Sequence, residues 1–318
     1  MNHIHRLRVQ GLALIGACGL LLVGVGCRDG RGAGPEFTPD PWSSPVSTSA
    51  STTVVRETVV DTNAFFLESP GILDRWKASN ESCAVPSRPD AVLFLGHYPP
   101  ASLRLLSTID AWHACTKREV KHVVIVSPDH YQRLEAGFAT TYQSYRVRNR
   151  VIPSNELFGR RLKEVGAVSS ALFTQEHGVG VPLALVNTYW PQLESATAVV
   201  VSRKIDEGDA RTLAKDLRIF ADRPDTLVVV SVDFSHGLPR QYAGMMDRET
   251  KQALLDARRS FFWYAQDTHA DFGRGVWILL DLLSGQGRVF IDQSFDSVEL
   301  GGGRTNVTTF FAGWLTKD

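Results

Sequence analysis

The sequence lacks an excess of charge of either sign, and it lacks the common nucleotide-binding motifs. Its 318 residues include 34 Lys plus Arg and 34 Asp plus Glu, so the formal net charge is zero. No overall field attracts nucleic acid or an anionic surface, and we expect no nucleic-acid partner. No Gly-x-Gly-x-x-Gly or Gly-rich Lys-Ser/Thr loop follows an apolar run, which argues against dinucleotide and P-loop phosphate binding. A Gly-x-Ser-x-Gly elbow is also absent, so we do not expect the usual α/β-hydrolase.

Cysteine is scarce, and its positions exclude one kind of zinc site. Four cysteines occur, and the closely spaced ligand pairs of a zinc ribbon are absent. Cys18 and Cys27 lie near the N-terminus, which leaves Cys83 and Cys115 for the folded part of the chain. We favour a disulfide between them, because Cys83 precedes the first predicted core strand and Cys115 closes the helix after it. Two unrelated buried thiols are the alternative, since cysteine is often buried.

Residues 1–27 resemble a bacterial lipoprotein signal. Two arginines without an acidic residue precede an uncharged apolar run at 11–26, which ends in small residues before Cys27. The pattern predicts that Cys27 is lipidated and anchors the protein in the bacterial cell envelope, outside the cytoplasmic membrane, at the outer membrane or the periplasmic face in a Gram-negative cell. Gly24 stands where such signals usually carry leucine, so retention of the run as a membrane anchor is the alternative. The run is short for a spanning helix, which needs about 20 apolar residues.

Two further regions follow the signal. Residues 28–53 are rich in Gly, Pro, Ser and Thr without apolar periodicity, which predicts a flexible tether. Residues 54–318 alternate short apolar runs with amphipathic stretches, the pattern of βαβ units. The predicted strands cover 91–95, 122–126, 196–201, 226–232 and 307–314, and the predicted helices cover 103–112, 157–165, 213–220, 246–265 and 273–283. We therefore expect a single α/β domain whose largely parallel central sheet is covered by helices on both faces.

Polar side chains follow three of the predicted strands. His97 follows the first strand and His130 the second, and Asp233 and His236 come at the end of the fourth. Because parallel strands end at the same edge of a sheet, where open α/β sheets bind ligands, we expect these side chains to line one crevice. A lone histidine after a strand is more often structural, but three such coincidences favour a shared site. His177, in a loop before an apolar stretch, either joins this site or simply begins a helix.

The order of these motifs resembles the Memo-like family, also called protein B of the AmmeMemoRadiSam system. The family's His-Ala-Gly-Tyr element is matched loosely by His97–Pro100, and its Gly-Pro-Ser-His element by Ser127–His130. Its His-Ser-x-Glu element is matched in part by His177–Pro182, and its Ser-Ser-Asp-x-Ser-His element closely by Ser231–His236. The resemblance implies a fold similar to the B subunit of extradiol ring-cleaving dioxygenases.

The resemblance also implies a metal site, with two departures in this chain. The family's Glu is replaced by Gly180, and the Cys that joins the first two histidines around the metal is replaced by Phe272. In the related dioxygenases a carboxylate serves with two histidines, as in non-haem Fe(II) sites with open positions. Asp271 is the nearest carboxylate to the lost cysteine. The expected ligands of a divalent metal, with iron suggested by the resemblance, are therefore His97, His130 and Asp271.

Several functions remain open at this level. In the enzyme hypothesis, His236 and His177 act as acid or base groups and Asp233 orients one of them, in an oxidation or hydrolysis of a small molecule. The loss of the family's Cys and Glu instead favours a catalytically degenerate lipoprotein that binds a metal or a ligand. A scaffold that docks a protein partner in the envelope is the third possibility. The expected partners are a small molecule and, through the lipid anchor, a membrane.

Overall fold

The computed structural model describes residues 59–62, 71–78, 83, 88–163, 166–168, 172–283 and 287–317. All of them belong to one compact unit, Val55–Asp318. The predicted signal at 1–27, with Cys27, and the predicted tether at 28–53 lie outside the described residues.

Helices and strands alternate along most of the described chain, as the sequence pattern predicts. The strands are β1 (Val60–Asp61), β2 (Arg88–Leu95), β3 (His122–Pro128), β4 (Phe138–Thr140), β5 (Tyr145–Val147), β6 (Arg150–Ile152), β7 (Ala167–Val168), β8 (Ser195–Val201), β9 (Thr226–Ser231), β10 (Arg288–Asp296) and β11 (Thr309–Lys317). The helices are α1 (Ser102–Thr116), α2 (Glu156–Lys163), α3 (His177–Tyr189), α4 (Glu207–Ala221), α5 (Arg240–Leu255), α6 (Arg259–Trp263) and α7 (Gly273–Asp281).

The larger sheet is mixed, which corrects the expectation of a largely parallel one. Its strand order is β10-β11-β2-β9-β3-β8-β4-β7, and a smaller sheet has the order β1-β5-β6. Strands β2, β9, β3 and β8 are parallel, whereas β10 and β11 add an antiparallel edge and β4 runs antiparallel to β8. The sequence pattern missed β10 because its side chains are only half-buried, as on an antiparallel edge with one wet face.

Helices cover both faces of the parallel strands. Successive side chains of β3 point to opposite faces, so Val123 and Ile125 pack in one core and Val124 and Val126 in the other. The first core includes the buried sides of α1 and α3, and the second includes those of α4 and α7. The α/β class and the two-sided covering thus agree with the sequence pattern, because runs of β-branched residues are buried on both faces.

The acidic stretch 206–209 predicts an N-terminal cap for α4, and the structure confirms it, because Asp206 accepts a hydrogen bond from the Asp209 N–H at 2.8 Å. The helix expected at 246–265 is instead two helices, α5 and α6, separated near Ala257, whose φ of 50° is left-handed.

The disulfide between Cys83 and Cys115 is confirmed, with an S–S distance of 2.11 Å. It joins the segment before β2 to the last turn of α1. Among the described helices, none has the length and apolar character needed to cross a membrane.

Candidate metal centre

The sheet brings the predicted site residues to one edge. Strands β2, β9 and β3 are neighbours and run parallel, so their carboxyl ends lie side by side. His97 follows β2, His130 follows β3, and Asp233 and His236 follow β9. Gly96 permits the close approach, because a Cβ there would lie 2.8 Å from Oδ1 of Asp233. The expected convergence of the three histidines is confirmed.

Three ligand-type atoms form a nearly equilateral triangle. The Nε2 atoms of His97 and His130 are 3.1 Å apart, and Oδ2 of Asp271 lies 3.1 Å from the first and 3.3 Å from the second. Ligand atoms bound at about 2.1 Å from a metal stand about 3.0 Å apart in an octahedral shell and about 3.4 Å apart in a tetrahedral one. The triangle therefore has the dimensions of three ligands on one face of a metal ion.

The opposite ring nitrogens of both histidines already have partners. Nδ1 of His130 is 2.5 Å from Oε1 of Glu176, and Nδ1 of His97 is 3.0 Å from Oγ of Ser231. A histidine that binds a metal usually donates its other N–H to a carboxylate or another oxygen acceptor, which fixes the ring and its tautomer. Both rings are thus arranged to direct an Nε2 lone pair into the triangle.

Two hydrogen bonds that involve backbone atoms join Asp233 and Asp271. Oδ1 of Asp271 accepts a hydrogen bond from the Asp233 N–H, and the Asp271 N–H donates to the Asp233 carbonyl, each at 3.1 Å. Oδ1 of Asp233 accepts from the His97 N–H at 3.0 Å, and its Oδ2 lies 3.5 Å from Nε2 of His97. Each carboxylate therefore has one oxygen bound to a backbone and the other directed toward His97.

His177 and His236 flank the triangle from two sides. His177 is the first residue of α3, and its ring stacks on that of His130 at a centroid distance of 4.1 Å. It also belongs, with His97 and His130, to a set of ligand atoms that all lie within 4.8 Å of one another. Nε2 of His236 lies 3.8 Å from Oδ2 of Asp233 and 3.9 Å from Oδ2 of Asp271. This nitrogen is buried and makes no hydrogen bond to the described residues.

Burial and neighbouring charges divide the titratable groups into two kinds. Burial by itself lowers the histidine pKa values, but hydrogen bonds and charges from carboxylates outweigh it, raising the pKa of His97 and raising that of His130 to about 10. Burial and the nearby imidazoles lower the pKa of His177 to about 3. Burial raises the pKa of Asp233, whereas at Asp271 the histidines outweigh burial and lower the pKa.

Glu176 is the site residue that the sequence analysis missed. It is the N-cap of α3 and is fully buried, and its carboxylate accepts from the Gly178 N–H and the His130 N–H at 3.1 and 3.2 Å. An acidic residue directly before a helical His-Gly pair is the available sequence signal, because N-caps are usually side chains with an oxygen acceptor. Ser231 begins the motif Ser231–His236, but its contact with His97 joins residues 134 positions apart, which the motif alone does not indicate.

Comparisons with known proteins name no family. No family profile and no curated protein matches the chain. The crystal structure of the uncharacterized protein JW3007 from Escherichia coli K12 is similar to it, with 15% sequence identity and a TM-score of 0.44, over 69% of this chain and 98% of that chain. At this level of similarity the neighbour says nothing about function.

Proposed function

We propose that the chain binds one divalent metal ion through His97, His130 and Asp271. The observation that carries this proposal is the triangle of two imidazole nitrogens and one carboxylate oxygen, with edges of 3.1 to 3.3 Å. The donor set fits a metal ion for two reasons. Both Nδ1 atoms already have partners, so each ring can direct the lone pair of its Nε2 to the metal. Two Nε2 lone pairs at 3.1 Å also repel each other unless a proton or a cation lies between them. Two histidines and one carboxylate are the ligands of many mononuclear non-haem iron sites.

The chemistry we propose is oxidation or hydrolysis of a small molecule. When bound, the metal supplies a Lewis acid with open positions. Its neighbours provide the proton-transfer groups that such a reaction needs. His177 stays neutral at neutral pH because its pKa is about 3, so it can accept a hydrogen bond or orient a substrate. His236 is partly exposed and faces two carboxylates, which suits a proton donor or acceptor held in place by Asp233.

The motif order supports this assignment. The chain resembles the Memo-like family and, in fold, the extradiol dioxygenase B subunits, in which two histidines and a third protein ligand hold a metal. In this chain Asp271 stands beside Phe272, the position of the family's cysteine, and Glu176 supplies a carboxylate next to His177 although Gly180 has none. An oxidoreductase with iron as its metal is the most specific form of the proposal.

A metal analysis of the full-length chain tests the proposal. We expect about one Fe, Mn or Zn ion per chain in the wild type and none in the double variant His97→Ala, His130→Ala. Asp271→Asn should retain much less metal, because it removes the ligand charge while conserving shape. His236→Ala should retain the metal but lose any turnover. His269→Ala is the matched control, since this histidine contacts Glu249 outside the cluster.

Two outcomes contradict parts of the proposal. A folded wild-type chain that takes up no divalent ion from solution contradicts the metal site, and circular dichroism of each variant separates ligand loss from unfolding. A chain that retains the metal with no turnover of any small molecule, and whose His236→Ala variant binds ligands like the wild type, favours the catalytically degenerate binding protein instead.

We also propose that the protein is tethered in the bacterial cell envelope. The two basic residues, the apolar run and Cys27 support lipidation at that cysteine, and residues 28–53 give the domain a tether. The disulfide between Cys83 and Cys115 supports this location, because structural disulfides persist mainly in oxidising compartments. The membrane is then a partner through the lipid.

A further inference from the structure

A cavity of about 240 Å³ lies beside the candidate metal centre. Its walls include Arg203, Tyr264, Asp267, Asp271 and Arg274, and we call it the arginine cavity. Arg203 follows β8, the parallel neighbour of β3, so it belongs to the same edge of the sheet as the histidines. Asp271 is shared between the cavity and the metal triangle.

One of the two arginines of the cavity has no carboxylate partner among the described residues. Arg203 pairs with Asp267 at 2.8 Å, and the charge of Asp271 faces His97 and His130. No carboxylate in the described part of the chain pairs with Arg274. Its guanidinium lies over the ring of Trp263, with Cζ 3.4 Å from the centroid, and donates to the Trp263 carbonyl. A half-buried guanidinium without a carboxylate partner gains more from an incoming anion than an exposed one, because water screens it less.

A second arginine-rich cavity shows what distinguishes this one. That cavity measures about 420 Å³, yet each of its arginines already has an acidic partner. The pairs are Arg211 with Glu207, Arg258 with Asp256, and Arg259 with Asp281. The larger cavity therefore offers no free positive charge, and none of the proposed metal ligands lines it.

We propose that the arginine cavity binds a carboxylate group of a small molecule, with Arg274 as its main anchor. The planar guanidinium of arginine matches a carboxylate with two parallel hydrogen bonds. The volume lies below the range of about 300 to 1,000 Å³ that is usual for drug-sized ligands, so it suits the charged end of a molecule. The exposed ring of Tyr264 lies at the wall and offers an apolar face to the rest of that molecule.

The cavity is adjacent to the metal centre. Asp271 belongs to both, and the carbonyl of Asp267 accepts the backbone N–H of His236 at 3.0 Å. A carboxylate held by Arg274 thus lies next to a metal ligand and next to the loop that positions His236. The class of substrate, a small organic carboxylate, rests on the proposed function. The binding of the carboxylate itself does not.

Binding of benzoate and of its neutral analogue benzamide to the full-length chain tests the inference. Calorimetry reports binding, and so does the tryptophan fluorescence of the chain, to which Trp263, whose ring contacts Arg274, contributes. We expect saturable binding of benzoate and much weaker binding of benzamide. Arg274→Gln should weaken benzoate binding about tenfold or more, the effect of losing a charge-assisted pair of hydrogen bonds. Arg274→Lys should lose less because it keeps the charge, and Arg203→Gln should weaken binding to a smaller extent because Arg203 is shared with Asp267.

The control is Arg211→Gln, which removes a paired arginine from the larger cavity and should bind benzoate like the wild type. Equal binding of benzoate and benzamide, or wild-type affinity in Arg274→Gln, overturns the inference. Metal content measured on the same samples separates the two proposals. If benzoate binding depends on Arg274 while neither the wild type nor any variant holds a metal, the carboxylate-binding inference is supported and the proposed metal site is contradicted.

Discussion

The pKa values of His130 and His177 are shifted in opposite directions, although the two rings stack on each other. Carboxylates surround His130 and favour its protonated form, whereas burial next to other imidazoles keeps His177 neutral. In a metal-free chain a proton on His130 therefore occupies the position that we assign to the metal. Hydrogen bonds from Asp271 and from Glu176 both raise the pKa of His130, and the buried carboxylate of Glu176 contacts its Nδ1.

Removing the charge of Glu176 tests its role as the partner of a metal ligand. Glu176→Gln retains an oxygen that can accept from Gly178 and keep the start of α3, but it loses the negative charge beside His130. We expect the metal affinity to fall by about 10- to 100-fold, the usual effect of losing such a partner. Competition with a metal chelator measures it. Glu299→Gln, which removes an exposed carboxylate paired with Arg104, should leave the affinity unchanged. Wild-type affinity in Glu176→Gln would show that the carboxylate only caps the helix.

The titration of His130 and His177 should make the metal-free chain most stable near pH 6.5. The folded-state pKa of His130 is raised from 6.5 to about 10, so its contribution is present below pH 6.5 and is lost as the pH rises through about 10. The folded-state pKa of His177 is lowered from 6.5 to about 3. Because the unfolded chain binds that proton first, stability also falls as the pH decreases from 6.5 toward 3.

Denaturant unfolding of the chelator-treated chain between pH 4 and pH 9 measures this profile. The variant His130→Gln should lose most of the decline on the alkaline side. Added metal should reverse that decline, since the metal replaces the proton on the ring and binds better as protons are removed. Stability that rises steadily from pH 6.5 to pH 9 without metal would contradict the assignment.

At the scale of single elements, strand ends and one helix start position the cluster. Strands β2, β3 and β9 supply His97, His130 and Asp233 because their apolar runs end at the same edge of the sheet. Helix α3 brings Glu176 and His177 against that edge. The approach is close at Gly178, where a Cβ would lie 2.4 Å from Oγ of Ser127.

Gly178→Ala tests whether this close approach matters. The added methyl group meets Ser127 and also lies 3.2 Å from Oε1 of Glu176 and 3.3 Å from the ring of His130. We expect a loss of about 1 to 3 kcal/mol in the free energy of unfolding, as for other overpacked sites, together with weaker metal retention. Gly244→Ala is the matched control within α5, where no atom lies within 4 Å of the new Cβ. It should stabilise the chain by about 0.5 to 1 kcal/mol. Equal stabilities of the two variants would contradict the expectation.

At the scale of the whole molecule, parallel strands of the mixed sheet carry the site, and β10 and β11 lie outside it. Three of the four parallel strands, β2, β9 and β3, carry the site at their carboxyl ends, while β10 and β11 extend the sheet on the side of β2. The disulfide fastens the segment before β2 to α1, close to the amino ends of the strands and away from the site. The described residues begin at 59, after the segment that we propose as signal and tether.

Lipid labelling in a bacterial host tests the tether. The wild-type chain should incorporate labelled palmitate and sediment with the membrane fraction, because acylated cysteines anchor a protein to the bilayer. Cys27→Ser should lose both the label and the sedimentation. Cys18→Ser, which changes a cysteine within the apolar run, should keep both. Label that persists in Cys27→Ser would rule out lipidation at that residue.

The sequence by itself determined the features that depend on local pattern. The β-branched runs predicted β2, β3, β8 and β9, because fully buried strands need apolar side chains on both faces. The positions of His97, His130 and His236 after those runs then determined that they meet at one edge. For Cys83 and Cys115 the sequence favoured a disulfide, with two separate thiols as the alternative. The structure shows the disulfide.

Only the tertiary structure decided the features that depend on long-range packing. Asp271, which the sequence indicated only through the family resemblance, completes the triangle from 141 residues beyond His130, and Glu176 contacts the same ring from 46 residues beyond it. No local pattern determines such separations, because they depend on how α3 and the segment before α7 pack against the sheet. The antiparallel pairing of β10 was likewise decided by its neighbour β11, since its half-buried side chains give only a weak strand signal.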